Sequence, residues 1–221
     1  MKAFEKLQEF KGTTAELRAT EEAMKFGLEI FDIEPASYPE VARVEDEIAQ
    51  LTEIWEIKND WDKQWEAFKE LKFYDLEMEK MDNDAEDFQD KVKGLVRMPT
   101  SGGHTSEVRD WGVFNHLKTE IDKFRATMPL LVELRADAMR ERHWKELRFE
   151  VKDDFDEQGD EFNLEKVFSL NLLMHQEKVN ELADNAKKQL KIETGLENIR
   201  RTWEDDPATD LVIEQKKSKA D

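Results

Sequence analysis

The sequence contains no cysteine, and it has few of the residues that most often interrupt helices. Its 221 residues include 5 proline and 8 glycine residues. The absence of cysteine excludes a disulfide framework, a thiol nucleophile and cysteine-ligated zinc, and it is compatible with a reducing compartment. The scarcity of proline and glycine leaves long uninterrupted segments that can form helices.

Long apolar runs and basic residues are also scarce. The residues AVILMFWYC make up 38% of the chain, and 53 acidic against 34 basic residues give a net charge of −19. No apolar run approaches the roughly 18 residues of a membrane-spanning helix. The acidic balance disfavours contact with nucleic acid or anionic lipid and favours basic partner surfaces. We therefore expect no nucleic-acid partner and no membrane partner.

Aromatic residues and helical periodicity, by contrast, are abundant. The 6 tryptophan and 13 phenylalanine residues supply enough apolar area for a core, which excludes a disordered chain. Apolar residues recur at the steps of three and four that are typical of one helix face. The clearest series are Val41, Val44, Ile48, Leu51 and Trp55; Trp61, Trp65, Phe68 and Leu71; and Phe114, Leu117, Ile121, Phe124 and Met128.

These series predict an all-α fold, an elongated array of antiparallel helices joined by short loops. Pro129 is predicted to open a helix that continues to about Leu147, since proline is tolerated in the first turn. The apolar residues from Leu164 to Trp203 are predicted to lie on two or three helices, with Gly195 as a weak point. Only the segment from Phe149 to Phe155 leaves room for a short β element.

The acidic segment that begins at Asp154 has the skeleton of a calcium-binding loop. The ligand positions are Asp154, Asp156, Gln158, Asp160 and Glu165, with Gly159 at the sharp turn. Gln158 is an unusual ligand there, Glu161 occupies a position that is normally apolar, and no second loop is present to pair with this one. An acidic, solvated loop is the simpler interpretation, and a calcium-responsive binding module is kept as an alternative.

No set of residues in the sequence indicates a reaction centre. The histidines show no zinc-binding spacing; they are His104, His116, His143 and His175. Neither a nucleophile elbow nor a phosphate-binding loop is present. The close spacing of Trp55, Trp61 and Trp65 allows a ligand-stacking site, although aromatic residues at helical spacing are more often core. We therefore predict that this chain is not an enzyme, holds no metal and carries no cofactor.

Five groups of residues occur in an order and at spacings that identify a family. They are Ile54-Trp55 with Trp61 and Trp65; Leu117-Lys118-x-x-Ile121-x-x-Phe124 with Met128-Pro129-Leu130-Leu131-x-x-Leu134; Met139-Arg140-Glu141-Arg142-His143-Trp144; Phe162-x-Leu164 with Leu170-x-Leu172; and Ala186-Lys187-Lys188-x-x-x-Ile192-Glu193-x-x-Leu196-x-x-Ile199-x-x-x-Trp203. From about Ile48 to Trp203 the sequence resembles the linker region of dynein heavy chains, which precedes the AAA+ motor ring. Two features depart from the family pattern: Lys187-Lys188 stands where Lys-Glu is usual, and residues 150–161 are unusually acidic.

The resemblance implies a mechanical role. The linker of this family is a helical lever that crosses the AAA+ ring and transmits ATP-driven motion to the tail. The implied partners are the chain's own ring and tail, other dynein subunits and, only through the parent motor, microtubules. ATP and magnesium would belong to other parts of that parent, an ATP-hydrolysing microtubule motor. The sequence looks closer to axonemal than to cytoplasmic dyneins, which implies a cilium or flagellum, with the cytoplasm as the alternative.

The resemblance also suggests how the chain is divided. Residues 1–45 would be helices entering from the tail, residues 46–206 the N-terminal part of the linker, and residues 207–221 a polar, frayed segment. We interpret Arg142, His143 and Trp144 as structural, with Trp144 and Trp203 closing the same core; a hinge at this triplet is the alternative. Composition alone also allows a stand-alone acidic adaptor or scaffold.

Overall fold

The computed structural model describes residues 2–98, 100 and 107–205, and it is helical throughout. The helices are α1 (Lys2–Ile30), α2 (Pro39–Phe68), α3 (Met78–Leu95), α4 (Gly112–Leu134), α5 (Glu141–Val151), α6 (Leu164–Ser169) and α7 (Gln176–Asp205). Short 3-10 turns lie at Phe73–Asp75, Val108–Asp110 and Leu172–His175. Within these ranges β pairing is limited to one isolated bridge between Lys72 and Asn163, so the all-α prediction is confirmed. His104 and the predicted segment 207–221 lie outside the described residues.

The first two helices form a hairpin in which α1 lies beside the main core and α2 enters it. Leu7, Thr14 and Glu21 are the buried residues of α1, and α1 packs on α2. Arg18 joins the two helices, because its guanidinium donates to Glu45 of α2 at 2.5 Å and to Glu21 at 2.7 Å. No residue of α1 belongs to the main hydrophobic cluster. The hairpin is therefore attached mainly along α2.

The main hydrophobic cluster takes residues from α2 through α7, and its first three helices, α2, α3 and α4, run in alternating directions. Gln64 of α2 bonds to Asp84, while Trp61 meets Phe88 farther along α3. In the same way, α3 and α4 are joined by the pairs Arg125–Asp82 and Gln89–Asp122. No helix among the described residues is long and apolar enough to span a bilayer.

The apolar face predicted for α2 is buried only in part. Ile48 is buried, but Val44 is 42% exposed. The face that enters the core instead consists of Ile54, Ile57 and Trp61. This happens because the first half of α2 packs against α1 and only its second half packs against α3 and α4, so that the buried face changes along one continuous helix.

The predicted helix start at Pro129 is wrong, since α4 continues through this proline to Leu134. Proline removes one helical hydrogen bond to the carbonyl four residues earlier and disfavours the helix interior. The cost is tolerated because Met128, Leu130 and Leu131 around it are all buried in the core, and tertiary packing overrides local propensity. The helix predicted to reach Leu147 is instead two helices, separated between Leu134 and Glu141.

Two α-helices, α6 and α7, carry most of the apolar residues from Leu164 to Trp203, as predicted, but α7 passes through the predicted weak point at Gly195 without a break. Its first half is anchored in the core by Val179, Leu182, Ala183 and Ala186. The apolar residues that follow are exposed; they are Ile192 (62%), Leu196 (61%), Ile199 (56%) and Trp203 (56%). The prediction that Trp203 closes the core around Trp144 is therefore wrong, because the helix carries Trp203 about 25 Å beyond Ala186.

Candidate functional site at the junction of α5 and α7

The triplet Arg142-His143-Trp144 lies in the first turn of α5, where the backbone changes direction after α4. Arg140 precedes the helix with extended backbone angles (φ −125°, ψ 161°). Its backbone N–H donates to His143 Nδ1 at 3.1 Å, and its carbonyl accepts from the His143 N–H at 2.8 Å. His143 thus closes the first turn of α5 through its own side chain, as capping residues do at helix N-termini.

His143 also ties α5 to α7. Its Nε2 lies 3.1 Å from Gln189 Oε1, and the side chain is 2% exposed. Because Nδ1 accepts the bond from Arg140, the ring proton of the neutral histidine lies on Nε2 and is donated to Gln189. Both ring nitrogens are therefore satisfied inside the protein, which agrees with the structural interpretation of this histidine.

Trp144 points the opposite way, into an aromatic cluster. It is 3% exposed, and its ring makes edge contacts with Phe73, Phe155 and Phe162 at centroid distances of 6.1, 6.2 and 5.9 Å. Edge-to-face arrangements of this kind stabilise aromatic cores beyond the burial of area. The predicted burial of Trp144 is confirmed, although its partners are phenylalanines and not Trp203.

Arg142 and Arg140 converge on one carboxylate of α7, that of Glu193. Arg142 lies 2.8 Å and Arg140 3.4 Å from the two Glu193 oxygens. The hydrogen bond from Arg142 is the main reason that the pKa of Glu193 is lowered from its ordinary range. Two predicted residues that are far apart in the sequence, Arg142 and Glu193, are therefore brought together.

A third link joins α7 to α4, because Lys187 pairs with Glu133. Lys187, Gln189 and Glu193 thus bind three different partners on α4 and α5. They lie along the part of α7 that follows its last core residue, Ala186. We call this set of contacts the α5–α7 clamp: Arg140, Arg142, His143, Gln189, Glu193 and the pair Lys187–Glu133.

The predicted tryptophan series forms part of the core and leaves no stacking surface at its centre. Trp61 contacts Phe88 and Phe124 edge-on, each at 5.3 Å, and Trp65 contacts Phe168 at 5.2 Å. Trp55 is half-buried and lies outside this cluster. These contacts support the interpretation of Trp61, Trp65 and Phe124 as packing residues. Pro129 is exposed on α4 and takes no part in the clamp.

The acidic loop after α5 is held by a basic residue that the sequence did not single out. The Arg148 guanidinium donates to the Phe155 carbonyl at 2.7 Å and to the carboxylate of Glu157, which is 4% exposed. Helix α5 runs to Val151 and ends with Lys152 in the left-handed region (φ 55°). The short β element predicted near Phe149 to Phe155 is therefore wrong, because its first residues are helical and the next ones turn.

Three of the five residues of the calcium alternative have other partners in the structure. Asp160 pairs with Lys72 at 2.5 Å, and Gln158 bonds to the Tyr74 hydroxyl at 3.2 Å. Asp156 accepts a bond from the Gln158 backbone at 3.0 Å. Across residues 2–98, 100 and 107–205, no three His, Asp or Glu side chains are placed so as to hold a metal ion. The geometry of Asp154, Asp156, Asp160 and Glu165 thus lends the calcium alternative no support.

Gln189, Arg148 and Glu157 are the important contact residues that sequence reasoning missed. Gln189 stands four residues before Glu193, so it shares a helix face with a residue of the family pattern. This spacing was the feature of the sequence from which a contact role for Gln189 could have been predicted. Glu157 lies within the acidic stretch of residues 150–161 and Arg148 lies just before it on α5; neither carried a distinguishing pattern.

Comparison with known proteins agrees with the resemblance carried by these residues. Residues 41–219 match the family model "Dynein heavy chain, N-terminal region 2". The chain is 33% identical to human dynein axonemal heavy chain 2 over 204 residues. It is also 33% identical over 201 residues to the dynein-1-beta heavy chain of the flagellar inner arm I1 complex of Chlamydomonas reinhardtii.

Both alignments cover nearly all of this chain but a small part of the relatives. They include 92% and 91% of this chain, respectively, and 4% of each relative. Human dynein axonemal heavy chain 10 is 30% identical over 175 residues, again 4% of its length. The match to the family model extends over most of the residues that build the core and the clamp. The chain belongs to the dynein heavy chain family, to its N-terminal region 2.

Proposed function

We propose that this chain acts as a mechanical linker in an axonemal dynein heavy chain, carrying movement of the AAA+ ring to the tail. The observation that carries the proposal is the α5–α7 clamp. It fixes the middle of the 30-residue helix α7 to α4 and α5 through Glu193, Gln189 and Lys187. The helix then continues past the core with an exposed apolar face, which is the form expected of an element that passes force between two bodies.

The clamp and the core have complementary mechanical effects. Close packing around Trp61, Phe124 and Trp144 resists deformation of the body, since protein interiors are as dense as organic crystals. The polar links of the clamp resist rotation of α7 about that body, because they attach it to α4 and α5 at separate points along its length. A load applied to the far part of α7 would then move the whole body.

The wider assignments follow from the relatives and belong to the same proposal. The relatives are named as axonemal or flagellar heavy chains, which supports a site of action in the axoneme of a cilium or flagellum. The partners would be the ring and tail of the same heavy chain and other dynein subunits, with microtubules reached through the parent motor. ATP and magnesium would act in the ring, and this chain would contribute no catalytic group.

The proposal is tested in the complete heavy chain by exchanging the charges of the clamp. We expect Arg142→Glu or Glu193→Arg alone to slow microtubule gliding while ATP hydrolysis continues, because motion of the ring is no longer passed on efficiently. The double variant, which restores an opposite-charge pair at these two positions, should recover gliding in part, because Arg140 then faces a like charge at position 193. Lys145→Glu is the matched control, since Lys145 lies on the same helix and its one ion pair among the described residues is with Glu141.

Gliding at the wild-type rate in both single variants would show that the clamp does not transmit force. A parallel loss of gliding and ATP hydrolysis, with no recovery in the double variant, would show a role in assembling the motor instead of in transmission.

A further inference from the structure

Helix α1 carries a second apolar face that the described part of the chain does not cover. Its inner face, Leu7, Thr14 and Glu21, is buried. About 60° around the helix, a sixth of a turn, Phe10, Leu17 and Met24 are 58%, 55% and 52% exposed. This exposed face is separate from the α5–α7 clamp, and nothing in the proposed lever role accounts for it.

The exposed face has the spacing of a coiled-coil seam. Its positions recur at steps of three and four, which place them in one stripe along a helix. We call this stripe the outer seam: Phe10, Thr13, Leu17, Thr20, Met24, Gly27 and Phe31, the last of which directly follows α1. All of these positions are uncharged, although 39% of the chain is charged. An uncharged stripe of this length on an exposed helix is typical of a face that packs against another helix.

The outer seam alternates large and small residues, and the small residues are suited to a close contact that excludes water. The Thr13 hydroxyl donates to the Glu9 carbonyl at 3.1 Å, and the Thr20 hydroxyl donates to the Glu16 carbonyl at 2.9 Å. Their polar groups are thus satisfied within the helix. Gly27 lowers the stability of a helix, yet a methyl group built there would meet no atom within 4 Å. Packing within the described residues therefore does not require this glycine, whereas a second helix would use it for close approach.

The charges beside the outer seam indicate what kind of helix fits. Glu9 and Glu16 directly precede Phe10 and Leu17, where a coiled coil places the charges that select its partner. The neighbouring helix α2 contains nine acidic and three basic residues. A second copy of this chain would bring Glu9 and Glu16 near like charges, and an anionic membrane would be repelled in the same way. Lys and Arg at the flanks of an apolar stripe are the complementary choice.

We propose that the outer seam docks an amphipathic helix of another protein, with large apolar residues facing the seam and Lys or Arg along its flanks. The apolar side chains of the partner fit over Thr13, Thr20 and Gly27, between the larger residues of α1. The basic flank of the partner pairs with Glu9 and Glu16. The apolar area buried between the two helices supplies the affinity. The charges select the partner helix and its orientation along the outer seam.

The test uses two synthetic peptides of four heptads with Leu at positions a and d. One has Lys and its twin has Glu at all e and g positions, so that each peptide repels itself and stays monomeric. Fluorescence anisotropy measures the affinity of each labelled peptide for the 221-residue chain at about physiological salt, where distant charges are screened. We expect the basic peptide to bind at least about tenfold more tightly than its acidic twin, since the seam rejects like charge.

Variants of the chain separate the seam from general charge attraction. Leu17→Glu should weaken binding of the basic peptide by about tenfold or more, as expected for a central apolar anchor. Phe149→Glu is the matched control and should leave binding unchanged, because Phe149 is 86% exposed on α5. Replacing both Glu9 and Glu16 by Lys should shift the preference toward the acidic peptide. Circular dichroism of each variant confirms that the helices are intact.

Four results would overturn the proposal. Equal affinity for the two peptides, or equal effects of Leu17→Glu and Phe149→Glu, would show that the outer seam does not select a basic helix. A dimer in sedimentation velocity that is lost in Leu17→Glu would make a second copy the occupant. Co-flotation with phosphatidylserine vesicles that depends on Leu17 would make a membrane the occupant.

Discussion

Arg142 and Glu193 lie 51 residues apart in the chain and meet at 2.8 Å across the junction of α5 and α7. Each belongs to a different part of the family pattern, and the contact brings these two parts together in space. Arg142 sits in the first turn of α5, which His143 closes, and Glu193 lies on α7 beyond Ala186, the last of the described α7 residues that is buried in the core. The pair therefore joins the local structure of α5 to the orientation of α7.

The first prediction concerns the pH dependence of this pair. The pKa of Glu193 is lowered in the folded chain, chiefly by the hydrogen bond from Arg142. Its charged form therefore stabilises the fold at pH values above the ordinary glutamate pKa of about 4.3, and this contribution is lost as the pH falls through the lower folded value. Glu193→Gln should lower the melting temperature at pH 7 and have a smaller effect near pH 3.

The control for this measurement is Glu197→Gln on the same helix. Among the described residues Glu197 pairs with Arg200 and Arg201, one turn away on the same helix, so its removal should affect the melting temperature less at pH 7. Equal effects of the two substitutions at both pH values would contradict the role assigned to Glu193.

The second prediction compares two tryptophans with opposite environments. Trp144→Ala should lower the free energy of unfolding by about 3–5 kcal/mol, because it removes a buried ring from the cluster of Phe73, Phe155 and Phe162. Trp203→Ala should change it by less than about 0.5 kcal/mol, as is usual for exposed positions. Urea unfolding followed by far-UV circular dichroism measures both. A similar loss in both variants would mean that the end of α7 is packed in solution.

The third prediction concerns the polar link between His143 and Gln189. His143→Leu should lower the free energy of unfolding by about 1–3 kcal/mol, because the backbone N–H of Arg140 and the Gln189 side chain lose their partner in a buried site. His143→Leu combined with Gln189→Leu should cost less than the sum of the two single substitutions. Strict additivity in urea unfolding would show that the two side chains do not interact.

The fourth prediction concerns the loop that follows α5. Glu157→Ala should lower the free energy of unfolding by up to about 3 kcal/mol, since it leaves the Arg148 guanidinium without its buried partner. Glu161→Ala, in the same loop but exposed, is the control and should be close to neutral. If both substitutions were neutral, the loop would not depend on Arg148.

Much of the fold follows from periodicity, but the identity of each partner does not. The steps of three and four in α4 predicted the burial of Leu117, Ile121 and Phe124, which the structure confirms. The same rule failed at Trp203, because periodicity defines a helix face without saying what covers it. Local propensity also failed at Pro129, where buried neighbours on both sides keep the helix continuous.

The clamp could be predicted only in part. The family pattern pointed to Arg142, His143 and Glu193, but not to the contact among them. Gln189 was not predicted, and Arg140 was named only as part of the family pattern, because the contacts of both residues depend on how α5 is placed against α7, which is set by the turn between Leu134 and Glu141. Contacts of this range arise from the packed core and leave little trace in a single sequence.

The central claim, that the clamp holds α7 rigidly against the body, is tested most directly by a distance distribution. The chain has no cysteine, so Lys145→Cys on α5 and Glu204→Cys near the end of α7 give two unique sites for spin labels. Double electron–electron resonance spectroscopy should give one narrow distribution of the distance between the two spin labels. This distribution should broaden when Arg142 and Glu193 are both replaced by alanine. A distribution that is already broad with the clamp intact, or one that the double replacement leaves unchanged, would contradict the account.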